Sequence, residues 1–116
     1  MFAPLPKLNS FWYFWIMEPF FNLSKQDFFS KIETLNAILL DVRNADEFQD
    51  GHLENAILIP FENPDFISLM SDFDTSANYL VYCRSGNRGV KACLMMRSMG
   101  FIGEIFHLDK GYEGLK

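Results

Sequence analysis

The chain has 116 residues, a length that suits one domain with one buried core. Hydrophobic residues make up 49% of it, which excludes an intrinsically disordered chain. The formal net charge of -5 argues against general nucleic-acid binding, because phosphate backbones attract a basic surface.

The first feature along the chain is an aromatic run, FWYFWIM, from Phe11 to Met17. Glu18 and Pro19 end it well short of the ~20 apolar residues that a transmembrane helix needs, and no small-residue cleavage site follows it. We therefore expect neither a membrane span nor a signal peptide. Extra core packing is the default interpretation, and an added strand, a partner-binding edge and an interfacial anchor are the alternatives. We predict an N-terminal extension over 1–19 and a folded domain over 20–116.

Short apolar runs then alternate with segments of helical periodicity. The first predicted helix follows Ser24, with Asp27 completing a capping box and Phe28, Ile32 and Leu35 on one face. The elements predicted after it are, in chain order, a strand over 37–42, a short helix capped by Asn44, a strand over 56–59, a helix from Asn63-Pro64, a strand over 79–82, a helix after the cysteine loop and a strand over 105–108. This order predicts an α/β fold with an open, mostly parallel sheet and helices on both faces. Ligands of such sheets bind beyond the carboxyl ends of the strands.

Two of these helices have a distinct apolar face. The one that begins at Asn63-Pro64 has apolar residues at i, i+3, i+4 and i+7, namely Phe66, Leu69, Met70 and Phe73. The one after the cysteine loop is polar at three positions on one narrow arc, Lys91, Arg97 and Ser98, so we expect it to be mostly buried.

The chemistry of the chain is concentrated in the loop CRSGNR, which follows the strand over 79–82. Cys83 lies between a strand end and a helix N-terminus, where the helix dipole and the free loop amides attract negative charge. Arg84 and Arg88 add full positive charges, so all three effects favour the nucleophilic thiolate over the thiol. Gly86 lets the loop adopt backbone angles that turn its amides inward.

The charges around this loop are unevenly placed. No Asp or Glu occurs between Thr75 and Gly103, whereas four basic residues do: Arg84, Arg88, Lys91 and Arg97. A basic patch around a cysteine in an acidic protein indicates a small anionic substrate, and a solvated basic helix face is the simpler alternative.

Several ordered motifs resemble the rhodanese family of sulfurtransferases. The loop CRSGNR resembles the active-site loop of that family, LLDVRNADEFQDGHLENAILIP its DVR…EF…GHI…A…IP segment, and IFHLDKGYEGLK its closing strand and glycine turn. Together with the helix after the loop, these motifs cover roughly Phe20 to Lys116. The resemblance implies a three-layer rhodanese-like fold, with a mostly parallel central sheet of about five strands flanked by helices on both faces.

The resemblance also implies persulfide chemistry. Cys83 would be the nucleophile that takes a sulfane sulfur from a small anionic donor such as thiosulfate, or from a persulfide donor, and passes it to a thiol, to cyanide or to a sulfur-accepting protein. The substrate-binding residues would be those whose amides cradle the sulfur: Arg84, Ser85, Gly86, Asn87 and Arg88. Arg84 would face the donor and Arg88 would brace the loop, with no cofactor and no metal.

Two other functions stay open. One is a sulfur-relay or protein-interaction module with a dedicated partner, for which Phe11 to Met17 would serve as a docking surface. The other is a cysteine-loop phosphatase or arsenate reductase. The four residues between Cys83 and Arg88 count against the latter, because the related dual-specificity phosphatases have five. Two positions depart from the family pattern: Gly89 stands where Ser or Thr is common, and Lys110 replaces the first of two glycines.

The second cysteine, Cys93, lies on the buried side of its predicted helix, where a small hydrophobic role is the simpler interpretation. Two cysteines ten residues apart do not form a disulfide framework, so two free thiols in a reducing compartment, the cytoplasm, are expected.

The remaining charged and imidazole groups receive structural roles. We interpret Asp41 and Arg43 as structural, with Arg43 and Glu47 as an i, i+4 ion pair. His52 in a turn and His107 in a strand do not form a cluster with metal-ligand spacing, so no metal site is predicted.

Overall fold

A computed structural model describes residues 19–116, and the predictions made for the aromatic run from Phe11 to Met17 lie outside them. The described chain contains a five-stranded, all-parallel sheet in the order β1-β5-β4-β2-β3. The strands are β1 (Phe21–Leu23), β2 (Ala37–Asp41), β3 (Ile57–Leu58), β4 (Asn78–Tyr82) and β5 (Ile105–Leu108). The helices are α1 (Lys25–Thr34), α2 (Ala45–Gln49), α3 (Phe66–Met70), α4 (Asn87–Ser98) and a closing 3-10 helix, Tyr112–Leu115. The predicted α/β fold is confirmed.

Each face of the sheet has its own apolar core. On one face α1 and the 3-10 helix cover Leu39, Leu80, Tyr82, Phe106 and Leu108, with Phe28 of α1 fully buried among them. On the other face α3 and α4 cover a larger set that includes Leu40, Val42, Tyr79, Val81, Cys83 and Ile105. Because side chains alternate along a strand, Cys83 after β4 and His107 in β5 both point towards α4.

The predicted caps of the first two helices are present. Ser24 caps α1 by accepting a hydrogen bond from the Asp27 amide, and Asn44 caps α2 in a full capping box with Glu47. Gly100, at φ 96°, follows the end of α4. None of the helices within residues 19–116 is long and apolar enough to cross a membrane.

Three elements differ from the prediction. The helix expected from Asn63-Pro64 begins only at Phe66, because Asn63 Oδ1 accepts a hydrogen bond from the Asp65 amide and holds the chain in a turn. Leu69, predicted on the apolar face of this helix, is 38% exposed. The strand over 56–59 is reduced to Ile57–Leu58. The edge strand β1, three residues long, was not predicted; it is defined by its parallel pairing with β5.

Arg97 was expected on the solvent-facing arc of α4, and this was wrong. It is 4% exposed and donates to the carbonyl oxygen of Phe101 at 2.7 Å and to that of Pro19 at 2.5 Å. The apolar stem of an arginine can pack in a core when its head finds carbonyl acceptors, so Arg97 ties α4 to the segment before β1. Leu94 of the same helix is instead 47% exposed.

Candidate active site

Cys83 lies directly after β4, at the carboxyl end of the sheet, and only 1% of it is exposed. Its Sγ accepts a hydrogen bond from the Gly86 amide at 3.1 Å. A backbone amide that points at a sulfur stabilises negative charge there, as does the N-terminus of the 12-residue helix α4 that follows. The described residues therefore place a buried thiol where an anion is favoured.

Gly86 gives the loop its shape. Its φ of 115° lies in the left-handed region, and a Cβ at this position would lie 2.7 Å from the Asp109 carbonyl oxygen. Asn87 then begins α4, and the Val90 amide donates to the Gly86 carbonyl oxygen at 3.0 Å. The predicted special conformation of Gly86 is confirmed.

The C-terminal turn supports the loop from outside. The Tyr112 amide donates to the Cys83 carbonyl oxygen at 2.8 Å, and the Glu113 amide donates to that of Arg84 at 2.9 Å. Gly111, at φ 68°, makes this close approach possible, because a Cβ there would overlap the Arg84 carbonyl group. The family turn typically has two glycines. Gly111 is the one that remains in this chain, and it is sterically required. Lys110, which replaces the other glycine, is exposed.

Arg88 is fixed by an acidic partner. Its two terminal nitrogens donate to Glu47 at 2.7 and 3.0 Å, in a bidentate ion pair that is about one-fifth exposed. The hydrogen bond from Arg88 lowers the pKa of Glu47 to about 2. The predicted pairing of Glu47 with Arg43 is therefore wrong, because Arg88 reaches Glu47 from a distant part of the chain.

Arg43 belongs to a separate buried network. Its guanidinium forms a bidentate pair with Asp41, with a shortest distance of 2.7 Å, and donates to the Gly51 carbonyl oxygen at 2.7 Å. It also lies over the Tyr112 ring, 4.3 Å from the ring centre. Asp41 is fully buried, so this network holds β2 against the C-terminal turn. These contacts support the structural interpretation of Asp41 and Arg43, which stays a prediction.

Arg84 faces solvent beside the loop. Its side chain is 62% exposed and its Nε donates to Glu113 at 2.7 Å. It borders a cavity of about 320 Å³ lined by residues of both charge signs: Arg43, Glu47, Asp50, Gly51, Arg84, Tyr112, Glu113 and Lys116. The basic patch predicted around Cys83 is therefore partly neutralised, because Arg84 and Arg88 have acidic partners, and Arg97 is buried.

The other loop residues are accessible. Ser85 and Asn87 are both exposed. Among the loop amides of residues 19–116, that of Gly86 donates a hydrogen bond to Cys83 Sγ. The sulfur-binding role of the amides of Arg84, Ser85, Asn87 and Arg88 stays a prediction.

His107 and Gly89 are two residues of the site that the sequence interpretation did not assign to it. His107 is fully buried on β5, with Nδ1 2.7 Å from Asn22 Oδ1, and burial lowers its pKa to about 4. A Cβ on Gly89 would overlap His107 Nε2 and lie 3.4 Å from Cys83 Sγ. His107 reaches the site through the parallel register of β5 with β4, in which it pairs with Val81, and this register is not visible in the sequence.

The second thiol, Cys93, is fully buried on α4, and its burial raises the pKa of this thiol. Both cysteines are free. Within residues 19–116, no three His, Cys, Asp or Glu side chains come together as a metal-ligand group.

Comparisons with known proteins agree with this geometry. A family model described as a rhodanese-like domain matches residues 24–116. Thiosulfate sulfurtransferase 16 from the chloroplast of Arabidopsis thaliana is 39% identical over 74 residues, which are 55% of this chain and 62% of that protein. The solved structure of a human single-domain sulfurtransferase superimposes with a TM-score of 0.64 at 25% identity, covering 81% of this chain and 94% of that one.

A third relative is a larger protein. A tRNA uridine(34) hydroxylase from Enterobacter sp. (strain 638) is 31% identical over 108 residues, which are 83% of this chain but 30% of the hydroxylase. The chain thus spans less than two thirds of the length of either curated relative.

Proposed function

This chain belongs to the rhodanese-like domain family, and from that membership we propose that it transfers a sulfane sulfur through a persulfide on Cys83. Thiosulfate is the proposed small-molecule donor, and a protein or small-molecule persulfide is the alternative donor. The acceptor is a thiol, cyanide or a sulfur-accepting protein.

The observation that carries this proposal is the hydrogen bond from the Gly86 amide to Cys83 Sγ, 3.1 Å long, at the start of α4. Donors that are already oriented stabilise developing negative charge without reorganisation during the reaction. The buried position of Cys83 strengthens this effect, because electrostatic attraction is stronger away from solvent. The site is therefore suited to a nucleophilic sulfur anion and to the persulfide anion formed from it.

The first step is a displacement at sulfur. The Cys83 thiolate attacks the outer sulfur of thiosulfate, a new S–S bond forms, and the old S–S bond breaks so that sulfite leaves with the electron pair. The outer sulfur then occupies the loop, where the amides of Arg84, Ser85, Asn87 and Arg88 are the proposed donors. An acceptor thiolate or cyanide attacks this outer sulfur and regenerates Cys83.

The two loop arginines have different roles in this proposal. Arg84 is exposed, and its ion pair with Glu113 is too solvated to be strong, so its guanidinium is free to turn towards an anionic donor. Arg88 is held by Glu47 and contributes its charge from a fixed place; that charge interacts with the Cys83 sulfur. The reaction also needs a reduced thiol, which fits a location in the reducing cytoplasm.

The test is a steady-state assay of sulfur transfer from thiosulfate to cyanide, read out as thiocyanate. We expect turnover by the wild-type chain, no turnover by Cys83→Ser, and near wild-type turnover by Cys93→Ala, the matched control at the other buried thiol. Turnover that survives Cys83→Ser contradicts the proposal. An aryl phosphatase assay run in parallel distinguishes it from the phosphatase alternative, for which phosphate release would depend on Cys83.

A sulfur-relay module is the second candidate, and the similarity to part of a larger tRNA uridine(34) hydroxylase favours it. In that case Cys83 would accept one sulfur per chain from a persulfidated protein, and small acceptors would remove it slowly. Single-turnover rates of loading and of discharge separate the two candidates. Rapid loading from thiosulfate with rapid discharge to cyanide indicates a free-standing enzyme, whereas rapid loading from a persulfidated protein with slow discharge to cyanide indicates a relay.

A further inference from the structure

The cavity beside the cysteine loop carries both signs of charge. Its charged lining consists of three basic and three acidic residues: Arg43, Arg84, Lys116, Glu47, Asp50 and Glu113. Two of them already have strong partners outside this set, since Arg43 binds Asp41 and Glu47 binds Arg88. Arg84, the residue after Cys83, pairs with Glu113 at 2.7 Å, through side chains that are 62% and 54% exposed. A small molecule that enters the cavity therefore meets an accessible cation and an accessible anion side by side.

The backbone holds Arg84 and Glu113 next to each other and next to the cysteine. The Glu113 amide donates to the Arg84 carbonyl oxygen at 2.9 Å, and the Tyr112 amide donates to that of Cys83 at 2.8 Å. The charge of Arg84 interacts with that of Arg88, and Arg88 interacts with the Cys83 sulfur. Arg84 thus lies within electrostatic range of the charges that act on the sulfur.

The exposure of the pair makes it available to a ligand. A solvent-exposed ion pair contributes little to stability, so a ligand separates the Arg84 and Glu113 side chains at small cost. Their backbones stay joined by the hydrogen bond between the Glu113 amide and the Arg84 carbonyl oxygen. The separated pair presents a guanidinium, which donates to a carboxylate, and a carboxylate, which accepts from an ammonium.

Charge complementarity then distinguishes three kinds of ligand. A zwitterion gives Arg84 a carboxylate and Glu113 an ammonium, so both side chains exchange one partner for another. A simple anion takes Arg84 but leaves Glu113 unpaired, beside the further carboxylates of Glu47 and Asp50. A simple cation leaves Arg84 unpaired. The cavity therefore favours the zwitterion by disfavouring its singly charged analogues.

We propose that Arg84 and Glu113 together bind a zwitterionic thiol of the α-amino-acid type as the sulfur acceptor, and that Glu113 determines this preference. The inference rests on the proposed function and specifies its acceptor. In the transfer, the acceptor thiolate attacks the outer sulfur of the Cys83 persulfide and a new S–S bond forms. The bond between Cys83 Sγ and the outer sulfur breaks, and its electron pair stays on Cys83 as the thiolate. The acceptor thiol has lost its proton to solvent, and the acceptor leaves as a persulfide.

The test compares three thiols that differ in charge: cysteine, 3-mercaptopropionate, which lacks the ammonium, and cysteamine, which lacks the carboxylate. The measurement is the rate at which each removes sulfur from the loaded full-length chain, followed by intact mass. The ratio of the cysteine rate to the 3-mercaptopropionate rate should fall about 5-fold in Glu113→Gln, because an exposed ion pair supplies about that much discrimination. The intrinsic reactivities of the thiols cancel when this ratio is compared between wild type and variant. Arg84→Gln should lower the ratio of the cysteine rate to the cysteamine rate by a similar factor.

Glu104→Gln is the matched control. Glu104 is exposed and precedes β5, at the opposite end of the sheet from the cysteine loop, so this variant has the same change in net charge far from the cavity. It should keep the wild-type ratio of the cysteine rate to the 3-mercaptopropionate rate. An unchanged ratio in Glu113→Gln would overturn the proposal. A fall of the same size in Glu104→Gln would also overturn it, because the preference would then reflect net charge.

A binding measurement tests the same pair without sulfur transfer. The probes are S-methylcysteine and 3-(methylthio)propionate, which have no free thiol, and the signal is the Arg84 Nε–H resonance in nitrogen-15 NMR, assigned by its absence in Arg84→Lys. We expect the wild-type chain to bind S-methylcysteine about 5-fold more tightly than 3-(methylthio)propionate, and Glu113→Gln to bind both equally. Equal affinities in the wild type would contradict the proposal. A chain that gains no sulfur from thiosulfate contradicts the proposed donor, whereas this measurement still decides the role of Glu113.

Discussion

Glu47 and Arg88, 41 positions apart in the sequence, form a bidentate ion pair of 2.7 and 3.0 Å. Glu47 also closes the capping box of α2 by accepting from the Asn44 amide. One carboxylate thus joins the start of α2 to the start of α4, at the end of the cysteine loop. The loop arginine is fixed before any substrate arrives.

Glu47→Gln should cost stability at neutral pH. The pKa of Glu47 falls from 4.5 to about 2 in the folded chain, so its ion pair contributes fully above pH 4.5 and is lost as the pH falls towards 2. Because the pair is partly exposed, we expect a loss of about 2 kcal/mol at pH 7. Glutamine keeps an oxygen for the helix cap. Urea unfolding at pH 7 and pH 2.5 measures the effect, and a loss of the same size at both pH values would argue against this account.

His107 should make the fold less stable in mild acid. Its pKa falls from 6.5 to about 4 because of burial, so between these values the unfolded chain binds a proton that the folded chain does not. Stability therefore decreases as the pH falls through this window, by up to about 3 kcal/mol.

His107→Phe removes this dependence. Between pH 7 and pH 4.5, the unfolding free energy of the wild type should therefore fall more than that of the variant. A difference that stays constant over this range would show that His107 does not titrate as its burial implies.

Gly89→Ala should destabilise the wild-type chain by about 1–3 kcal/mol, because the added methyl overlaps the His107 ring. In a His107→Ala background the overlap is gone, and alanine is the better helix former by about 1 kcal/mol. The double-mutant cycle should therefore show a favourable coupling between the two substitutions. Additive effects in thermal or urea unfolding would mean that the two side chains do not share this space.

Gly86→Ala should abolish persulfide formation. The substitution is strained at a φ of 115° and meets the Asp109 carbonyl oxygen, so the loop must open and its amide must leave the sulfur. Gly100→Ala is the control, since Gly100 also has a positive φ, of 96°, but has open space around its Cβ position. After thiosulfate treatment, the intact mass should show one added sulfur atom in Gly100→Ala and none in Gly86→Ala. Loading of both variants would remove the Gly86 amide from the mechanism.

The sequence predicted those parts of the fold and site that depend on local patterns. The apolar run over 37–42 and the run YLVY predicted β2 and β4, and CRSGNR predicted a loop with a special Gly86 conformation. The resemblance to the rhodanese family, and with it the fold class, is confirmed. The catalytic role of Cys83 and the domain boundary near residue 20 stay predictions.

The parts that were wrong or missed depend on contacts between distant residues. Spacing alone assigned Glu47 to Arg43, four residues away, because a partner 41 residues away leaves no periodic signal. Arg97 was read as a surface charge because its carbonyl partners belong to segments outside the helix. His107 joined the site only through sheet order, which places β5 beside β4.

The most direct test of the central claim is the mass of the intact chain after incubation with thiosulfate, followed by peptide mapping. We expect a gain of one sulfur atom on the peptide that contains Cys83, its loss on addition of cyanide, and no gain in Cys83→Ser. A sulfur found on Cys93 instead, or a gain that persists in Cys83→Ser, would contradict it.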